Sequence, residues 1–266
     1  MQRVNRHFLI LKSALLIFVC VGVLAPISYM ITRSFEGGGL SNYSAIFTDK
    51  QINIAVNFLN SFFVSAVSIV LVVVMTSLAA FAFSKLNFKG KNVIYITLML
   101  GMMIPSSTIL LPLFTVTKAM GLMNHTASLI GPYTSFTAIF CLVIMKNFYD
   151  TIPNQLLEAA RIDGCSQFHT FIRIIFPLSY PALIVIVIWT FLQCWNELLL
   201  ALIFLTDKDQ MTITQVPIQM FYSFVRVQQL GKMFAAFTTT VSPVVILYIF
   251  LQKYFVIGLT GGAVKE

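Results

Sequence analysis

The 266-residue sequence predicts an all-α membrane protein: six transmembrane helices and one bent helix lying outside the bilayer. Three observations carry this. Hydrophobic residues make up 58% of the chain and charged residues only 10%, against about 25% charge in a soluble domain. The apolar residues gather in six runs, each as long as the roughly twenty residues needed to cross the hydrocarbon. Between the fourth and fifth runs stands the longest stretch that no bilayer could hold, residues 158–181, read as EAARIDGCSQFHTFIRIIFPLSYP.

The first run, residues 8–31, follows Arg3 and Arg6. It is too long for the apolar core of a signal peptide, and further spans follow it, so it reads as a membrane helix. A polar segment, 32–57, carries Gly37-Gly38-Gly39 and Asn42-Tyr43, the marks of a loop with room for a short helix. In the second run, 58–84, small residues such as Ser61, Ser65, Ser68 and Ser77 suit close helix contacts. The third run, 92–116, holds Gly101, Pro105, Ser106, Ser107 and Pro112. Two prolines free carbonyls that hydroxyls or a cavity must satisfy, so a kinked helix is expected, either lining a pore or packed in protein. The fourth run is 126–146, the fifth 181–205 and the sixth 233–257, with a second polar stretch at 206–232. This divides the chain into residues 1–55, a membrane helix with an extracytoplasmic loop; a core at 56–257, with the loop at 147–180; and a tail at 258–266.

Six spans put both ends on one side, and positive charge decides which. With the ends inside, only Arg33, Lys50, Lys118, Lys208, Arg226 and Lys232 lie outside, and the other eleven of the 17 Lys and Arg face the cytoplasm. The short turn from Lys85 to Lys91 is the most diagnostic, because short loops obey the rule best. Residues 158–181 are therefore expected in the cytoplasm.

That stretch has the grammar of helix, break, helix. Pro153 can open a helix, since a proline in the first turn sacrifices no bond. Leu156, Leu157, Ala160 and Ile162 give it a small apolar face, and Gly164 supplies a C-terminal stop. A second segment starts at Ser166, a good N-cap, with Phe168, Phe171, Ile172 and Ile175 at helical spacing, and Pro177 and Pro181 end it. Apolar side chains mixed with charges of both signs, outside the membrane, call for a protein partner.

Several function classes are excluded. The net charge of +8 does not signal nucleic acid, because the basic residues are scattered among loops rather than striped on one face. The four cysteines and three histidines are isolated, with no metal-ligand or disulfide spacing. No phosphate-binding glycine loop is present, so any nucleotide must bind another chain. No nucleophile, carboxylate-pair or metal constellation supports a membrane enzyme.

Inside the spans the ionisable exception is Glu197, in CWNELLLAL. An intramembrane carboxylate is costly, so it must face a polar cavity or a partner helix. One reading sets Gln193, Asn196 and Glu197 along a translocation path, with Trp195 offering an aromatic face to a sugar. The other pairs Glu197 with a neighbouring subunit or places it near the wet interface.

Glu158-Ala159-Ala160, three residues, Gly164, nine residues, then Ile174-Ile175-Phe176-Pro177 resembles the cytoplasmic EAA loop of ABC importer permeases, with Phe176 where that family usually has leucine. IPSSTILLPLF in the third run, Trp195-Asn196-Glu197 in the fifth and the tail GLTGGAVKE are similar to the smaller permease of carbohydrate importers of the maltose and multiple-sugar type. The resemblance implies the type I ABC importer fold, a second related permease, two ATPase subunits using ATP and Mg, and an extracytoplasmic binding protein, all in a bacterial-type cytoplasmic membrane. It implies ATPase coupling through Glu158, Ala159, Ala160, Asp163, Gly164, Phe168, Phe171 and Pro177. It also implies a flexible tail at the ATPase interface through Thr260, Gly261 and Gly262. Ser106 and Ser107 join the substrate path on the reading in which the kinked third run lines a pore. No cofactor or metal is expected on this chain. Two alternatives stay open: an importer of a sugar phosphate or polyol such as glycerol phosphate, and an ion-coupled transporter using Glu197.

Overall fold

The computed structural model describes the backbone of residues 6–48, 52–224 and 230–260, and side chains of 11–48, 52–221 and 230–250. Every apolar run becomes helix, and no strand occurs among the described residues. The chain forms two compact units. One holds the residues up to Ile54 together with Val216–Ser242, and the other holds Ala55–Gln215 together with the chain from Pro243 onward.

In the first unit, α1 (Arg6–Ser34) leads through a turn with Gly37 and Gly39 at positive φ into α2 (Ser41–Thr48). The short helix anticipated in the polar loop is α2. Its buried Asn42 donates to the carbonyls of Ser34 and Glu36 at 2.9 and 3.0 Å, which ties α2 back to the end of α1. The polar stretch at 206–232 is less polar in form than expected, since it contains the apolar helix α12 (Val216–Phe224). None of the apolar window of α1 is buried inside the chain.

The second unit is built on α3 (Ile54–Lys85), α6 (Ile130–Thr151) and α10 (Tyr180–Asn196). Val72, Ala80 and Phe81 of α3 meet Cys141, Met145 and Tyr149 of α6 and Ile186 of α10 in one buried cluster. The last helix, α13 (Leu230–Thr260), contains Pro243. Residues 258–260, expected to begin an extended tail, are the last turn of α13; Gly261 and Gly262 lie outside the described residues.

By length and apolar composition, four helices among the described residues can cross a membrane: Leu11–Ser34, Ile54–Lys85, Thr126–Thr151 and Leu230–Phe250. Two of the six expected spans contain breaks. The third run is two short helices, α4 (Lys91–Gly101) and α5 (Leu110–Ala119), because Pro105 has no N–H to carry the ladder and residues 102–109 run as three-residue turns. The fifth run stops at Asn196, turns extended at Glu197 (φ −71°, ψ 126°) and resumes as α11 (Leu199–Phe204).

Candidate functional site

The bent segment forms as α7 (Gln155–Ile162), a turn, and α8 (Gln167–Thr170). Gly164 has φ +78°, a left-handed conformation that suits glycine. Around it the Cys165 N–H donates to the Ala160 carbonyl at 2.9 Å and the Gly164 N–H to that of Arg161 at 3.1 Å, the paired bonds of a Schellman cap. Ser166 is extended and accepts from the His169 N–H at 3.3 Å, capping α8.

The second arm does not end before Pro177, as the proline rule suggested. It continues through a π turn (Phe171–Ile175) into α9 (Phe176–Leu178). The Phe176 N–H bonds five residues back to Phe171. This wider turn gives the ring of Pro177 room that a regular turn would deny it.

The two faces of the bend differ. Ala160, Thr170, Phe171 and Ile175 are buried, and the Phe171 ring lies 5.2 Å from that of Phe81 on α3. Glu158, Ala159, Asp163 and Pro177 are exposed, and so are Ile162 (86%) and Phe168 (63%). An isoleucine and a phenylalanine this bare, on either side of a fixed turn, make an apolar patch shaped for a partner. Phe171 belongs to the inner face and reaches α3 instead.

Polar clamps hold the base of the bend, and sequence reasoning missed them. The Lys85 ammonium, at the end of α3, donates to the Ile152 carbonyl at 2.6 Å and to Asn154 Oδ1 at 3.0 Å. Ser84 donates to Asp150 at 2.6 Å, and Lys146 pairs with the same carboxylate at 2.7 Å. The i,i+4 spacing of Lys146 and Asp150 was a visible signal; the partners of Lys85 were not. A cleft of about 360 Å³ lies between the foot of α3 and the bend.

The proposed path residues divide. Gln193 and Asn196 are exposed one turn apart on α10, with Asn196 also donating to the Leu192 carbonyl at 2.8 Å. Trp195 is 1% exposed, stacked on Phe191 at 5.2 Å and meeting Phe58 edge-on at 5.3 Å. Its rings are covered, so the expected free aromatic face is corrected. Ser106 and Ser107 are exposed in the break between α4 and α5, and no hydrogen bond joins them to α10 among the described residues.

Glu197 has its partners within the chain. The Tyr133 hydroxyl of α6 donates to Oε2 at 2.7 Å, and the Leu200 and Ala201 N–H groups of α11 donate to Oε1 at 2.8 Å and Oε2 at 3.3 Å. Thr214 donates to the Glu197 carbonyl at 3.0 Å. The carboxylate thus satisfies the free N–H groups where the helix restarts.

These elements define a polytopic membrane component with a bent helix whose outer face is bare. The chain belongs to the family described as "Binding-protein-dependent transport system inner membrane component", which matches residues 73–260. It is 32% identical over 274 residues to the trehalose/maltose transport system permease protein MalG of Thermococcus litoralis, covering 98% of this chain and 97% of that one. It is 30% identical over 263 residues to the diacetylchitobiose uptake system permease protein NgcG of Streptomyces coelicolor, covering 94% and 86%. A solved bacterial ABC transporter involved in the import of the acidic polysaccharide alginate contains a chain that superposes with a TM-score of 0.82 at 22% identity, covering 96% of this chain and 99% of that one. The fold is that of type I ABC importer permeases.

Proposed function

We propose that this chain is a permease subunit of an ATP-driven carbohydrate importer, forming the translocation path with a second, related permease. The names of its relatives support a sugar, and an oligosaccharide best among sugars. An extracytoplasmic binding protein would deliver it, and two ATPase subunits would hydrolyse MgATP on the cytoplasmic side; the excess of Lys and Arg in the loops supports setting the bend on that side too.

One observation carries the reading. The bend is bare on the outside, at Ile162 and Phe168, and locked on the inside to α3 through Phe171 and Lys85. Such a part can only move with what it is attached to. Closure of the ATPase dimer would pull on Glu158, Ala159 and Phe168 and displace the feet of α3 and α6 as one body, turning the path from inward-open to outward-open. Gln193 and Asn196, exposed on α10, are suited to hydrogen-bond sugar hydroxyls.

A phosphate ester would want a cation on that face, and α10 carries none. Coupling to an ion would want a carboxylate open to the path, and Glu197 is engaged by three donors of its own chain.

Purification in mild detergent tests the assembly. The chain should copurify with a second permease and an ATPase, and Ile162→Asp should release the ATPase while the two permeases remain together. A chain that purifies alone and moves solute into liposomes without ATP would overturn the proposal.

A further inference from the structure

Neither Ile162 nor Phe168 lines the cleft between the bend and α3, and the proposed function leaves it unused. Lys85 and Arg161 line it, with Asn87, Gln167 and Thr170 between them and no acidic residue on its walls. The Arg161 side chain makes no ion pair or hydrogen bond among the described residues, so its charge is not cancelled, while Lys85 also feels the nearby Asp150 carboxylate.

The cleft is also not closed on itself. Asn87 and Phe88 belong both to it and to an open depression of about 480 Å³ that runs on past Lys91 to Val93. From there the exposed face of α4 continues as Val93 (70% exposed), Ile94 and Ile96. A cationic hollow that opens onto a bare apolar helix matches an amphiphile with an anionic head and does not match a soluble ion, which would leave the apolar half without a role.

From this juxtaposition we infer that Arg161, Lys85 and the 86–93 turn hold the head group of an anionic phospholipid from the cytoplasmic leaflet, with its chains along α4. Basic hollows at the cytoplasmic ends of membrane helices are suited to such heads, and the leaflet carries them in abundance. The inference rests on the cytoplasmic placement proposed above. The site joins the moving bend to the membrane surface, so its occupant would brace the bend against α3.

The test is photocrosslinking of the purified assembly with phosphatidylglycerol carrying a diazirine next to the head group, with crosslinked peptides mapped by mass spectrometry. Adducts should fall within 85–96 and 157–170. Arg161→Gln should lower their yield about fivefold, the weight of one cation near a charged surface. Lys118→Gln, on the opposite end of the helices, should leave it unchanged. Labelling that is equal with phosphatidylcholine, that survives Arg161→Gln, or that lies elsewhere on the chain would overturn the inference. Competition by inorganic phosphate at concentrations that leave micelles intact would point to a soluble anion and overturn it too. Competition by a copurified ATPase would assign the cleft to that protein instead. ATP-driven uptake measured on the same preparations separates this inference from the functional proposal: an unmutated assembly with normal uptake and no lipid adducts sinks the lipid site alone.

Discussion

At the scale of the residue, Glu197 shows how an expensive intramembrane charge is used. Three donors converge on it from α6 and α11, and in their absence the carboxylate would be stranded. Glu197→Ala should therefore cost about 2 kcal/mol of stability, measured by SDS-driven unfolding in mixed micelles. In a double-mutant cycle, Tyr133→Phe and Glu197→Gln should couple by about 1 kcal/mol, while additive effects would mean the pair is not an energetic unit. Gly164 makes a different kind of prediction. A Cβ there meets nothing within 4 Å, so only the left-handed backbone resists substitution. That penalty is about 1–2 kcal/mol for an ordinary residue and is relieved for asparagine. Gly164→Asn should keep uptake near normal and Gly164→Val should reduce it; equal loss in both would show that space, not backbone, is what matters.

At the scale of the element, the bend was legible because its signals are local. Gly164, Ser166 and the apolar spacing around them fix its two arms within a dozen residues, and the Schellman cap forms where the glycine stands. The breaks in the third and fifth runs were less legible, for different reasons. Pro105 advertised a distortion, but whether a proline kinks a span or splits it depends on which neighbours satisfy the freed carbonyls. The restart at Leu199 has no proline or glycine to announce it. Its only trace in the sequence is the acid just before it, whose meaning depends on Tyr133, 64 residues away. The clamp at Lys85 is equally non-local, joining α3 to a carbonyl and an amide beyond α6. Lys85→Met removes both bonds, worth about 1–2 kcal/mol in all, and frees the base of the bend. The expected result is hydrolysis that continues while solute moved per ATP falls; an unchanged ratio would mean that the clamp carries no force.

At the scale of the whole molecule, a membrane component of this family has to turn a movement at one surface into a change of access at another. Under the proposed function this chain would do so with a stiff part rather than a flexible one: a capped bend, a π turn that carries Pro177 without breaking the helix, and aromatic contact between Phe171 and Phe81. Packed interiors transmit displacement because they resist deformation. The most direct measurement of this account is the ratio of sugar imported to ATP hydrolysed in proteoliposomes holding the full assembly and its binding protein, with and without Glu158→Ala. The account predicts that the variant still hydrolyses ATP but imports little sugar for each one. Import and hydrolysis that keep the wild-type ratio would contradict it.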